Sequence, residues 1–189
     1  MCHALLQNPN FFRLLLRIDE EFAGEARAGG CAACGGVLHR ADYPRKPRAC
    51  LKELRCEYAS RFSFCCSRCR KRLTSMSVRF LGRRVYLGLA VVLGSARHAG
   101  QNPAAARLAG TLEVPLRTLE RWRQWWGEAF ALTPLWQAAC ARFMPPVAID
   151  RLPASLLERF AGTAEETLIR LLVFLSPITV AAIALRGGR

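Results

Sequence analysis

The chain has 189 residues, with 28 Lys+Arg against 14 Asp+Glu, a formal net charge of +14 and an apolar share of 52%. That apolar share excludes a disordered basic tail, and the length fits one ordinary domain or two small ones rather than a large enzyme fold with an added binding domain. The surplus charge points to a polyanionic partner, either nucleic acid or an anionic membrane surface. It is concentrated: residues 36–84 hold fourteen Lys/Arg and three acids, Asp42, Glu53 and Glu57, and no acid occurs from 59 to 112. Arginine supplies 25 of the basic residues, and only Lys46, Lys52 and Lys71 are lysines. Arginine is the better donor for bidentate contacts to phosphate and guanine.

The first expected element is a helix over residues 9–27, capped by Asn10 and running from Phe11. Phe11, Phe12, Leu14, Leu15, Leu16, Ile18 and Phe22 give it a wide apolar face, and Asp19, Glu20, Glu21 and Glu25 follow. Residues 1–30 thus read as an N-terminal helical unit with a core role, packed on the cysteine-bearing region after it or on a second subunit.

Nine cysteines come next in importance: Cys2, Cys31, Cys34, Cys50, Cys56, Cys65, Cys66, Cys69 and Cys140. The count is odd, and the N-terminus lacks the basic and apolar regions of a secretory signal, so a disulfide framework is not expected. The pairs Cys31/Cys34 and Cys66/Cys69 each have C-x2-C spacing and are separated by 31 residues. Two such pairs supply four thiolates for one tetrahedral zinc ion, and Gly35 and Gly36 give the first knuckle a backbone free to bend. Cys65 is adjacent and competes with Cys66, which the spacing favours; His39 is a weaker alternative ligand. Cys50 and Cys56 lack close-spaced partners for a second site, and Cys2 and Cys140 read as structural or incidental.

Residues 37–40 and 61–65 read as strands, the run RFSF at 61–64 alternating as a half-buried strand does. Knuckle, strand, basic loop, strand and knuckle make a zinc ribbon over 31–76. Its ion, one structural Zn2+ per chain, would have no position left for water. The loop at 40–48 carries Arg40, Tyr43, Arg45, Lys46 and Arg48, and the second knuckle carries Arg68, Arg70, Lys71 and Arg72. With Arg83 and Arg84 they are the candidate contacts to a nucleic-acid backbone.

Residues 77–130 read as helical: a helix from Arg83 to about Leu93 ending near Gly94, a short helix over 104–112 opened by Asn102-Pro103, a break, and a helix opened by Pro115. The run ARLAGTLEVPLRTLERWRQWW, residues 106–126, resembles a helix-turn-helix. That resemblance implies that Ala109 lets the two helices approach, that Leu112 and Val114 fill the turn, and that Leu119 and Trp122 pack inward. It leaves Arg117, Thr118, Arg121 and Gln124 outward, where base edges are reached, with Leu116 placed for a thymine methyl. Trp125 or Trp126 is expected to pack against a later helix or a partner. Residues 131–189 suggest helices at 134–143, 153–160 and 164–175. The apolar run 171–185, broken by Pro177, is shorter than the roughly 20 residues a bilayer span needs and reads as a buried or interfacial helix.

A zinc ribbon followed by a helix-turn-helix resembles the N-terminal DNA-binding half of bacterial insertion-sequence transposases and small mobile-element-associated proteins. The likeness covers about residues 31–126 and is carried by CAACGGVLHRADYPRKPR at 31–48 and RFSFCCSRCRKRLTSMSVRFLGRRVYLG at 61–88. It implies recognition of element ends or an operator. The chain departs from those transposases beyond that region, where Glu128, Asp150, Glu158, Glu165 and Glu166 sit on helical patterns and assemble no two-metal acidic site. The three tyrosines lie in or beside the ribbon, against a tyrosine recombinase, and no Gly-rich phosphate loop with Lys occurs.

The expected fold is therefore mainly α with a small β zinc ribbon: N-terminal helix, four-cysteine ribbon, helix-turn-helix and C-terminal helices. The expected function is non-enzymatic, sequence-specific binding of double-stranded DNA in the cytoplasm, at the nucleoid and away from any membrane. The protein would be an accessory or targeting subunit working with a separate transposase or recombinase, with homo-oligomerisation open. The alternatives are a transcriptional regulator of the same architecture and an RNA-binding subunit of a nucleoprotein complex.

Overall fold

The computed structural model of the protein describes residues 2–81, 87–95, 110 and 114–181. After a 3-10 turn at Cys2–Gln7, helix α1 spans Pro9–Ala28. Its cap is Asn8 rather than Asn10: the Asn8 side chain accepts from the backbone N–H of Asn10 and of Phe11, and Pro9 takes the first helical position, where no N–H is needed. Phe11, Phe12, Leu15 and Asp19 form its buried face.

Among the described residues, five short strands come after α1: β1 Leu38–Arg40, β2 Tyr43–Pro44, β3 Ser60–Arg61, β4 Ser63–Cys66 and β5 Arg72–Thr74. The antiparallel sheet β1-β4-β5 pairs Leu38 with Cys66, His39 with Cys65, and Cys65 in turn with Arg72. The pair β2-β3 makes a second sheet, so part of the segment read as a basic loop at 40–48 is ordered as strand. The run expected to alternate at 61–64 is buried throughout, Arg61 included.

Helix α2, Gly88–Ser95, is buried at every residue and reaches Ser95, one residue past the Gly94 near which its end was expected; residues 83–86 of the expected helix lie outside the described residues. A Cβ at Gly94 would lie 2.9 Å from Leu119 Cδ2 and 3.3 Å from Trp122 Cζ3, so the missing side chain lets the next helix approach. That helix, α3, spans Leu116–Gln124 and continues through a π-helical turn, Trp125–Ala129, and a 3-10 turn, Phe130–Leu132. Apart from Gly110, which is helical, the expected first helix of the helix-turn-helix at 104–112 lies outside the described residues, as do Ala109 and Leu112. Val114, Leu119 and Trp122 are buried as expected.

The C-terminal region forms α4, Pro134–Ala139, α5, Ala154–Leu157, α6, Ala164–Leu175, and α7, Ile178–Ala181. Helix α4 continues as a 3-10 turn, Cys140–Arg142, and so fills nearly all of the pattern at 134–143, while α5 is shorter than the pattern at 153–160 suggested. A capping box, with Thr163 accepting from the Glu166 N–H and Glu166 from the Thr163 N–H, starts α6 where expected. The Trp126 ring centroid lies 4.7 Å from that of Phe130, which lies 5.3 Å from that of Trp136, so the tryptophan run is absorbed by the core of its own chain. No helix among the described residues is long and apolar enough to cross a membrane.

A polar network holds these layers together. Asp19 and Arg79 are each 0% exposed and pair at 2.7 Å, Arg79 Nε to Asp19 Oδ2. The Asp19 carboxylate also accepts from the Ser77 hydroxyl at 2.5 Å and the Val78 N–H at 2.6 Å. The Arg79 guanidinium donates to the carbonyls of Glu57 and Ser60 and lies 4.7 Å from the Phe62 ring centroid and 5.1 Å from that of Tyr58. Tyr58 donates to the Phe12 carbonyl at 2.5 Å, and burial pushes its pKa well above the usual tyrosine value. Arg61 donates to the carbonyls of Ser75 and Met76 and to Thr179 Oγ1, which also accepts from the Ser77 N–H. Helix α7 is thereby tied to the strands, and burial draws the Arg61 pKa below its ordinary value.

Arg79→Ala should leave Asp19 buried without its cation and lower the unfolding free energy by about 3–5 kcal/mol. Urea unfolding would measure it, and a loss below about 1 kcal/mol would show that Asp19 does not depend on Arg79.

Candidate functional site

The two C-x2-C segments fold into matching knuckles. In the first, the Cys31 carbonyl accepts from the N–H of Cys34 and Gly35, and the Cys31 N–H donates to Gly36. In the second, the Cys66 carbonyl accepts from the Arg70 N–H and the Cys66 N–H donates to Lys71. Both need a left-handed residue just after the second cysteine, and these are Gly35 at φ 66° and Arg70 at φ 60°. Glycine adopts that conformation freely; arginine adopts it at a cost. Gly36 is required for space, because a Cβ there would stand 2.9 Å from the Cys66 sulfur.

Ligand atoms of Cys31, Cys34, Cys66 and Cys69 all lie within 4.8 Å of one another, with Cys31 Sγ 3.5 Å from Cys69 Sγ and Cys34 Sγ 3.5 Å from Cys66 Sγ. Thiolates bound tetrahedrally at about 2.3 Å sit about 3.8 Å apart, so the four can hold one metal ion. The backbone N–H of Cys69, and behind it that of Arg68, bring the Cys66 thiol down to about 6 against the effect of burial. Cys69 receives an N–H from Lys71, but desolvation and the three neighbouring sulfurs outweigh it and raise its thiol to about 11. Four sulfurs this close cannot all ionise without a cation among them.

The ambiguity at 65/66 is resolved by strand alternation. Cys66 turns into the cluster, while Cys65 faces the other side of the sheet and approaches the Arg70 carbonyl at 3.5 Å. His39 lies opposite Cys65, exposed and outside the cluster. Cys50 is buried in the main core, where burial pushes its thiol up to about 11, and Cys56 is exposed. The cluster rests on a small core of Leu38 and Phe64, with Ala23 and Ala26 of α1 against it.

Around this centre Arg40, Lys46, Arg48, Arg68, Arg70, Lys71 and Arg72 lie at or near the surface, and Tyr43 and Arg45 are half-buried. Several are already held. Arg40 Nε donates to Asp42 Oδ2 at 2.6 Å, and its guanidinium lies 5.0 Å from the Phe62 ring centroid. The guanidinium carbons of Arg45 and Arg72 stand 4.9 and 5.7 Å from the Tyr43 centroid, so this tyrosine acts as a post for two cations. Arg72 also donates to the Ala41 carbonyl, and Arg68 donates to that of Cys34, bridging the knuckles. Arg83 and Arg84 lie outside the described residues.

On α3, Arg117, Arg121 and Gln124 point outward as expected, but Thr118 does not: it is 4% exposed, and its hydroxyl accepts from Arg121 Nη2 at 3.4 Å. Position 118 adjoins Leu119 and falls on the same inward arc as Trp122, so it supports Arg121 from behind. Leu116 is 58% exposed. The residue that sequence reasoning missed is Glu120, which with Arg117, Arg121 and Gln124 lines an open groove of about 640 Å³. Its spacing, three residues from Arg117 and four from Gln124, is the signal that places it there. No family model, curated protein or solved structure matches the chain.

Cys66→Ser should abolish stoichiometric metal in the purified protein, while Cys65→Ser should retain it; elemental analysis of both variants reads this directly. Arg70→Gly should relieve the left-handed strain and stabilise the metal-loaded protein by about 0.5–1 kcal/mol in urea unfolding.

Proposed function

We propose that the protein is a zinc-stabilised, sequence-specific double-stranded DNA-binding protein, acting as an accessory or targeting subunit beside a separate transposase or recombinase of a bacterial mobile element. The observation that carries this reading is the pairing of two unlike surfaces. One is the set of surface cations raised on the four-cysteine scaffold, suited to phosphates; the other is the outward stripe of α3, rich in hydrogen-bonding side chains. A cluster of four cysteine sulfurs, with no oxygen or nitrogen ligand among the described residues, suits zinc in a structural role with the coordination sphere closed. The zinc-ribbon and helix-turn-helix assignments, and the mobile-element setting, rest on the resemblance of residues 31–126. The nucleoid is then the place of action, and no catalytic step is assigned to the chain.

Selection of bound duplexes from a random pool tests the reading. A reproducible motif supports it; tighter binding to structured RNA than to any duplex would overturn it. Arg117→Ala and Arg121→Ala should each relax preference at one position by about 1–3 kcal/mol. Arg45→Ala or Lys46→Ala should instead weaken all duplexes alike and flatten the salt dependence by about one phosphate contact.

A further inference from the structure

The outward stripe of α3 differs in charge from the rest of the basic surface. Arg117, Glu120, Arg121 and Gln124 follow one another at helical spacing and line the same groove, and Gln124 Nε2 donates to both carboxylate oxygens of Glu128 at 3.3 and 3.1 Å. Two arginines and two glutamates leave the stripe with no net charge, in a chain of net charge +14. A surface meant only to hold phosphate would not place a carboxylate between two arginines, because that carboxylate repels the same phosphates.

Glu120 makes no hydrogen bond or ion pair with any described residue, although Arg117 and Arg121 are its neighbours on the helix. Gln124 has its amide nitrogen taken by Glu128. Glu120 is thus the open, acceptor-only group on the stripe. In the major groove a carboxylate finds its complement in an exocyclic amine, above all the N4 amine of cytosine, whereas arginine finds guanine O6 and N7.

We propose that Glu120 is a specificity-determining residue whose carboxylate accepts a hydrogen bond from a cytosine amine, beside guanines contacted by Arg117 and Arg121. The inference rests on the DNA-reading function proposed above. Glu120 thereby trades affinity for selectivity, weakening all DNA and sparing only the sites that present an amine to it.

The test is random-pool duplex selection with the full-length metal-loaded protein, its Glu120→Ala variant and its Glu120→Gln variant. Residue 120 is exposed, so unchanged metal content and circular dichroism should confirm that both variants fold. The wild-type motif should contain one position restricted to cytosine. Glu120→Ala should lose discrimination there by about tenfold or more, keep the other positions, and bind duplex of unselected sequence more tightly. Glu120→Gln, which can both donate and accept, should shift that position toward adenine. Variants that select the wild-type motif with unchanged preference at every position would overturn the role of Glu120 and leave DNA reading intact. A wild-type protein that selects no motif would overturn the DNA reading itself and this inference with it, as expected if the stripe docks a protein instead.

Discussion

The fold depends on one buried ion pair. Asp19 lies in the middle of α1 and Arg79 comes after β5, 60 residues later, yet both are wholly removed from water and meet at 2.7 Å. Burying two charges costs several kcal/mol each, and the pair survives because every side-chain nitrogen of Arg79 and both oxygens of Asp19 have a hydrogen-bond partner. Asp19 accepts from Ser77 and Val78, and Arg79 donates to Glu57 and Ser60 and is enclosed by Tyr58, Phe62 and Phe80. The result is a fixed joint among the N-terminal helix, the strands and the entry to the buried helix α2. An apolar contact could slide at such a joint; a network of directional bonds cannot.

The cysteine cluster is a second constraint with a different reach. Its sheet has three short strands and a core of Leu38 and Phe64, too little apolar surface to be stable alone. A bound ion would supply what that core lacks and would align the knuckles that carry Arg68, Arg70 and Lys71. Helix α1 joins the two constraints, since Asp19 enters the ion-pair network and Ala23 and Ala26 sit against the cluster. On the proposed reading, the metal and the ion pair together hold the phosphate-gripping surface in register with α3.

Charge is divided by role between these parts. Arginines around the sheet are stacked on Tyr43 and Phe62 or tied to carbonyls, so on the proposed reading less entropy would be lost on meeting phosphate. Arg61 and Arg79, counted in the same basic stretch, never reach the surface and belong to the core. The surplus charge seen in the sequence therefore overstates the charge available to a partner. On the proposed reading, the neutral charge of the α3 stripe is no argument against a reading role: net charge measures attraction, and discrimination needs matched donors and acceptors.

Local chemistry was legible in the residues themselves. The spacing of Cys31, Cys34, Cys66 and Cys69 located the cysteine cluster, because two-residue gaps force both sulfurs of each knuckle toward one point. Helical periodicity located α1, α3 and α6, and proline and capping residues marked their starts to within a few positions. Three things needed the tertiary structure. The choice of Cys66 over Cys65 depends on which sheet face turns inward, which is a matter of register. The burial of Thr118 and the outward place of Glu120 depend on where α2 packs against α3, and Gly94 sets that approach. The burial of Asp19, Arg61 and Arg79 depends on partners up to 118 residues away. Asp19 does fall in register with Phe11 and Leu15, a hint that a charge on an apolar face has a buried partner. Which of the chain's arginines it would meet could be decided only by packing, because the identity of a residue gives its charge and the fold gives its neighbours.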